Sequence, residues 1–405
     1  MKSPYYLLLF GSALTISSVL PTVSAQSLYD LASPIGLSES IPLKWSANAS
    51  MGYDDNVNAV SNSDPTHQSS AFSSFSVSAS MAELEARTQL SFDGQIGGTF
   101  YLDEMRFGSN QAVSNTNLSA MLTHSFDTTL RYMANISLAY QPEPDYQTGI
   151  SSPRRNGDYF YTYFNNTISK SWNSRFSTTT GFNTSVLNYE KAEASTDDRD
   201  YYNLTQNFRY KWTQRAAVTV DWNGQYSKRV YGESSFSNFI YLGMEYALDK
   251  YTNATAKVGP QIKNVSGGSS VYGSAEVAVD RRMTDRMSAG IFWRLSNENV
   301  DTYSVGNFYE SNVSNRVGVR GSYQINVMWS ASANLNLVTS SFSKGTRDPD
   351  RKDTTWNADV SVNCMLSKSW SANASYAFTN GQYSGYGNNF SYVRNVFSLG
   401  TSYSF

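Results

Sequence analysis

The chain has 405 residues, with 31 Lys and Arg against 33 Asp and Glu and a formal net charge of −2. That balance leaves no electrostatic footprint for nucleic acid. One cysteine, Cys364, excludes an internal disulfide framework and a multi-cysteine metal site, and two histidines leave little material for acid–base chemistry.

At the start, residues 1–25 read as a secretory signal peptide: Lys2, a mostly apolar Leu7 to Leu20, and Val23-Ser24-Ala25 as a cleavage site before Gln26. A membrane-spanning helix fits less well, since Ser and Gly interrupt the run and no basic stop-transfer flank follows. The residue directly after the cleavage site is Gln26 and not Cys, which argues against a lipoprotein anchor. Residues 26–43, with Pro34 and Pro42, make a short periplasmic lead, far too small for the plug of a TonB-dependent transporter.

After the lead, no apolar run is long enough for a transmembrane helix, and mean hydropathy is −0.43. Hydropathy alone would suggest a soluble protein. A membrane barrel escapes that test because every second residue faces water. Composition favours the barrel, with 29 Tyr, 21 Phe and 8 Trp, only 10 Pro, and charged residues at 16%.

The first strand alternates Trp45, Ala47, Ala49, Met51 and Tyr53 with Lys44, Ser46, Asn48, Ser50 and Gly52, then enters a polar loop reaching about Ser70. Long hairpins follow. Phe75, Val77, Ala79 and Met81 lead to a tight turn at Ala82 to Leu84. Thr88, Leu90, Phe92 and Ile96 return to a loop at Asp103 to Ala112. Further tight turns are predicted at Ser125 to Asp127, Lys170 to Asn173, Lys211 to Gln214, Leu248 to Lys250, Met283 to Asp285, Asn326 to Trp329 and Ser367 to Trp370. About eight tight turns thus alternate with about nine longer Gly/Ser/Asn/Asp loops, such as Gln141 to Gly157 and Gly381 to Asn389. The expected fold is an all-β, transmembrane, antiparallel up-and-down barrel over residues 44–405, with about 18 strands and 16 as the alternative. Short turns would face the periplasm and long loops the exterior. A propeller of similar period needs four short strands where this chain has two long runs, and its signatures are missing.

Side-chain parity is the sharpest signal. In Tyr201 to Trp212 the even positions are mostly apolar or aromatic, while the odd ones are Tyr201, Asn203, Thr205, Asn207, Arg209 and Lys211. Mid-strand charges fall almost entirely on the polar parity. They name the candidate lumen lining: Arg87, Arg131, Arg175, Arg209, Asp221, Glu245, Glu276, Arg294, Arg316, Arg320, Asp359 and Arg394, with Asp93 and Lys257 alongside. A charge on the lipid face would cost about 2–4 kcal/mol at mid-bilayer. Trp45, Trp172, Trp212, Trp329 and Trp370 sit at the short-turn ends and are expected to form a periplasmic aromatic girdle. Tyr53, Tyr101, Tyr140, Tyr189 and Tyr202 mark strand ends on the loop side.

Gly52-Tyr53-Asp54-Asp55-Asn56-Val57, at the exit of the first strand, resembles a segment of the β-barrel porin 2 family of Gram-negative bacteria. Members combine a G-Y-D-x-N-like segment near the mature N-terminus with a Tyr-rich barrel ending on Phe. The resemblance implies an outer-membrane barrel, sometimes associated with exopolysaccharide production. On physical grounds Asp and Asn suit a tight strand exit; Asp54, Asp55 and Asn56 could alternatively bind Ca²⁺. No Ser/His/Asp constellation or H-E-x-x-H motif is found, so no enzyme and no cofactor are expected. His124 lies on the apolar parity, and Cys364 on the lipid face as an inert small hydrophobe.

The final stretch, Tyr392 to Phe405, places Val393, Phe397, Leu399, Tyr403 and Phe405 on one side and Arg394, Ser398, Gly400, Ser402 and Ser404 on the other. It is expected to close the barrel, with Tyr403 and Phe405 serving assembly and closure. A barrel of about 18 strands is roughly 35 Å across at the backbone, too wide for side chains alone to fill. The expected function is therefore a porin-like channel for passive diffusion of small hydrophilic solutes, through a lumen narrowed by inward-folded loops. The alternatives are a component of exopolysaccharide export and a closed barrel with a loop-borne binding surface. Expected partners are outer-membrane lipid and lipopolysaccharide, the barrel-assembly machinery, and small solutes or polysaccharide.

Overall fold

A computed structural model describes residues 43–103, 112–142, 158–190, 198–229, 234–265, 268–298, 309–345, 350–385 and 388–405. The expected signal peptide and all of the lead but Leu43 lie outside the described residues. Eighteen strands run in chain order. The first six are β1 (Lys44–Asp54), β2 (Ser70–Leu84), β3 (Thr88–Tyr101), β4 (Ala112–Ser125), β5 (Leu130–Pro142) and β6 (Asp158–Ser171). Next come β7 (Phe176–Tyr189), β8 (Arg199–Lys211), β9 (Ala216–Arg229), β10 (Ser235–Ala247), β11 (Thr252–Val265) and β12 (Gly268–Thr284). The last are β13 (Met287–Asn297), β14 (Tyr309–Gln324), β15 (Trp329–Gly345), β16 (Arg351–Met365), β17 (Trp370–Gly385) and β18 (Asn388–Ser404). Each strand pairs antiparallel with its sequence neighbours, and β1 also pairs with β18, so the sheet closes with no free edge. The fold is an 18-stranded antiparallel barrel, with no helix among the described residues.

Local chemistry explains the tight turns. In most of them a short polar side chain near the turn's start accepts backbone N–H bonds from residues two and three further on. Asn173 Oδ1 accepts from Arg175 and Phe176, both at 2.9 Å. Asn326 Oδ1 accepts from Met328 at 2.8 Å and Trp329 at 2.9 Å. Thr213 and Ser367 use their hydroxyls in the same way. Asp127 does so with its carboxylate, and bonds from the Thr129 hydroxyl and amide hold that carboxyl below its usual range. The first turn differs from expectation: Ala82 to Leu84 stay in the β2–β3 ladder, and the chain reverses at residues 85–87.

The loop end also departs from expectation. Gly381 to Gly385 belong to β17, and Asn388 and Asn389 to β18, in continuous register up to Gly385↔Asn388. What reads as a Gly- and Asn-rich loop is a tall hairpin carrying the ladder upward, with only residues 386–387 between its strands.

Alternation divides the barrel into two faces. Outward positions carry large apolar side chains open to solvent, among them Met51, Phe75, Ile96, Phe208, Leu242, Ile291, Val319, Leu335 and Leu399. Inward positions are mainly Ser, Thr, Asn and charged residues. Outward-facing charges in the strands, such as Glu83, Lys170 and Arg281, stand at strand ends. The fully buried side chains, including Asp54, Asn56, Val57, Gln261, Phe342, Asp353 and Tyr392, gather near the loop end.

Candidate functional site

The interior is built from the first strand upward. Where β1 ends, Asp54 points inward and Asp55 outward. Asp54, 1% exposed, takes both Nε and Nη2 of Arg394 from β18. Asp55 instead accepts the backbone and side-chain amides of Asn395, each at 2.6 Å. The two carboxylates therefore do not converge on one ion, which removes the geometry that Ca²⁺ binding at this segment would need. Gly52 has its own reason: the Phe72 ring and the Phe397 carbonyl occupy the space a Cβ would fill.

Beyond Asp54, residues 55–69 fold into the mouth of the barrel. Val57, 0% exposed, packs against Tyr101, Val113 and Phe72, all on inward positions of β2 to β4. Asn56 fixes the bend, donating from Nδ2 to the carbonyls of Val60 (2.7 Å) and Val393 (2.9 Å) and accepting from the Val60 amide (3.1 Å). Ala59 takes a positive φ of 51° there. Between Ser61 and Asn62 of this loop and Asn380, Gln382, Ser391, Tyr392 and Val393 lies a cavity of about 150 Å³. The loop narrows the mouth on the β1–β4 side and leaves a polar gap towards β17 and β18.

Lower in the barrel, β8 to β14 carry a wall of ion pairs. Arg209 meets Glu245 at 2.8 Å, Lys257 meets Asp221 at 2.7 Å, Arg294 meets Glu276 at 3.2 Å, and Arg320 meets Asp280 at 2.6 Å. Arg316 pairs with Glu298 just beyond β13. Several pairs skip a strand. Asp280 on β12 and Arg320 on β14 flank Gly290 of β13 in register, and a Cβ at Gly290 would collide with both side chains. The glycine is the saddle over which the bridge passes. The more open pairs, Arg209–Glu245, Arg294–Glu276 and Arg320–Asp280, stabilise the fold by roughly 0.2–1 kcal/mol each, and the larger effect of the whole set is to neutralise the wall locally. From β15 round to β5 the inner face is mainly hydroxyl and amide, with contacts such as Ser375–Ser398 at 2.6 Å and Ser74–Thr99 at 2.7 Å.

Of the residues singled out from sequence, Arg209, Asp221, Glu245, Glu276, Arg294, Arg316, Arg320, Asp359 and Arg394 stand on inward strand positions. Asp359 has no ion-pair partner among the described residues. Arg131 is inward too, at the turn end of β5. Arg87 and Arg175 stand elsewhere, in the tight turns after β2 and β6, where Arg87 donates to the Phe126 carbonyl. Trp45, Trp172, Trp212, Trp329 and Trp370 are exposed at the turn end. Among the loop-side tyrosines, Tyr53 and Tyr202 are exposed and outward, and Tyr140 is also outward against Phe160. Tyr101 and Tyr189 instead face inward and are buried, because their parity continues that of the polar face. His124 bonds Thr88 at 2.9 Å near its turn, and Cys364 is buried opposite Trp329.

Parity alone missed one group. Tyr159, Tyr161 and Tyr163 on β6, Tyr201 on β8, and Phe239 and Tyr241 on β10 all face inward. The available signal was the run Tyr159 to Phe164, where aromatic residues occupy both parities.

No protein-family model and no curated protein sequence matches this chain, so the resemblance of the Gly52–Val57 segment to the β-barrel porin 2 family gains no support from a family match. Among solved structures, a BenF-like porin from Pseudomonas fluorescens Pf-5 is 12% identical, with 91% of this chain and 100% of that one covered and a TM-score of 0.49. OccK9 (OpdG) of Pseudomonas aeruginosa is 11% identical over 91% and 100% of the two chains, with a TM-score of 0.47. The siderophore receptor PirA of Pseudomonas aeruginosa is 11% identical over 90% and 80%, with a TM-score of 0.46. These likenesses are distant, and the barrel stands on its own hydrogen-bonded ladders.

Proposed function

We propose that the chain is an outer-membrane barrel that lets small hydrophilic solutes diffuse through its lumen, exported by a cleaved signal peptide over residues 1–25. The observation that carries this is the contrast between the faces of a closed sheet. An outward belt of exposed Leu, Ile, Val, Phe and Met would be a costly surface in water and an ordinary one in lipid. The inward face carries ion pairs, hydroxyls and amides that suit a hydrated channel. In this reading the Trp residues at the turn end rest at the headgroup level of the inner leaflet, the lipopolysaccharide leaflet surrounds the loop end, and Phe405 is presented to the assembly machinery.

Residues 55–69 would set the narrowest part of the path on one side of the mouth. Because cations and anions on the β8–β14 wall are paired, the lumen orients polar solutes without strongly selecting one sign of ion. The test is single-channel recording of the refolded protein in planar bilayers. Discrete, steady conductance steps are the expected result. A correctly folded, inserted protein that passes no current overturns the pore and leaves a closed barrel or a component of polysaccharide export.

A further inference from the structure

We infer that the inner wall around Tyr163 and Tyr201 is a binding subsite for a neutral saccharide, a reading that rests on the proposed pore for the sugar's route of access. Tyr163 on β6 and Tyr201 on β8 are both in register with Ser185 of β7, one on each side. The small Ser185, itself partly exposed, stands between the two rings. Both rings are partly exposed, and among the described residues neither hydroxyl has a hydrogen-bond partner. Across the interior, Arg294 of β13 lies within electrostatic reach of Tyr201 while ion-paired with Glu276.

This set of groups has a specific chemistry. A pyranose offers an apolar C–H face ringed by hydroxyls that both donate and accept. Tyrosine supplies a flat apolar body with a polar tip, suited to that face and its rim. Sugar hydroxyls bonding to the two tyrosine hydroxyls would satisfy groups that have no hydrogen-bond partner among the described residues. The Arg294–Glu276 pair, already neutral, offers no net charge to an ionic ligand. A purely apolar ligand would strand both tyrosine hydroxyls. A neutral polyhydroxylated ring satisfies all of these groups together, in keeping with the rule that a few convergent polar groups on an apolar surface fix a ligand's orientation.

The experiment is current block by maltohexaose in single-channel recordings, with polyethylene glycol of matched size as the control. Tyr163→Ala, Tyr201→Ala and Tyr201→Phe are compared with the parent, each first shown to fold by heat-modifiable migration. Saturable interruption by the sugar, absent with the polymer, is expected. The half-blocking concentration should rise about tenfold for either alanine variant at tyrosine and less for Tyr201→Phe, which keeps the ring. An open channel that the sugar does not block saturably, or that all variants block equally, overturns the subsite and leaves the pore standing. If the parent passes no current, the pore falls, and calorimetric titration of the folded barrel with maltohexaose decides the subsite. Binding heat lost in Tyr163→Ala supports it; no heat in the parent overturns it.

Discussion

The Phe405 amide donates to the Trp45 carbonyl at 3.0 Å, and the Trp45 amide donates back to the Phe405 carbonyl at 3.2 Å. This reciprocal pair fastens the seam between β1 and β18 at the turn end. The Phe405 ring stacks on Tyr403 at 5.9 Å between centroids, and Tyr403 in turn packs on Trp370 at 5.2 Å. A barrel whose seam is loose exposes a free sheet edge, the feature closure exists to remove.

Deleting Phe405 removes two backbone bonds and the end of this aromatic row. At about 1 kcal/mol per bond the loss is about 2 kcal/mol, concentrated where closure finishes. The fraction of protein showing heat-modifiable migration in the outer membrane should fall clearly. A yield equal to the parent's would show that Ser404 suffices.

Leu399 and Ser398 are adjacent and face opposite sides. Leu399 is outward at 49% exposure, and Ser398 bonds inward to Ser375. Leu399→Arg should impair assembly, at a cost of about 2–4 kcal/mol near mid-membrane. Ser398→Arg should assemble and change conductance or ion preference. Two variants that insert and conduct alike would end the two-faced description of β18.

Gly290→Ala places a methyl group under the Asp280–Arg320 bridge. Overpacking of this kind costs about 1–3 kcal/mol, more than the half-exposed pair itself provides. The displaced Arg320 should carry its charge further into the lumen and shift reversal potentials in a salt gradient towards anion preference. An unchanged reversal potential would mean that the bridge re-forms around the methyl.

Asp54→Ala removes the carboxylate that takes Nε and Nη2 of Arg394 beside the inward loop, and hydrogen bonds to charged groups of this kind contribute about 1.5–3 kcal/mol. The loop spanning residues 55–69 should loosen, giving larger and noisier single-channel steps. A quiet channel of parental conductance in Asp54→Ala would show that Asn56 holds the loop unaided.

Epitope tags test orientation. Insertions near Gly268 or Gly385, at the loop end, should be stained on intact cells. Those at Asp249 or Ser369, in the turns, should stain only after permeabilisation. The reverse pattern would invert the barrel.

Much of this was decided by local chemistry, which a sequence displays. Period-two alternation over Tyr392–Phe405 identifies β18 and its faces because a strand's geometry allows only two side-chain directions. Asn173, Thr213, Asn326 and Ser367 locate their turns because each side chain reaches amides only two or three residues away. The tryptophans at strand ends follow from the same spacing. Tertiary structure decided what depends on strands meeting at a distance. Gly290 is unremarkable in sequence and acquires its role only when β12 and β14 reach across it. The inward fold of residues 55–69 needed Tyr101 and Val113 to be in place as a surface for Val57. Tyr163 and Tyr201 look like ordinary barrel aromatics until register sets them on either side of Ser185. Alternation states which side of the sheet a residue occupies; closure, tilt and register determine which groups it meets there.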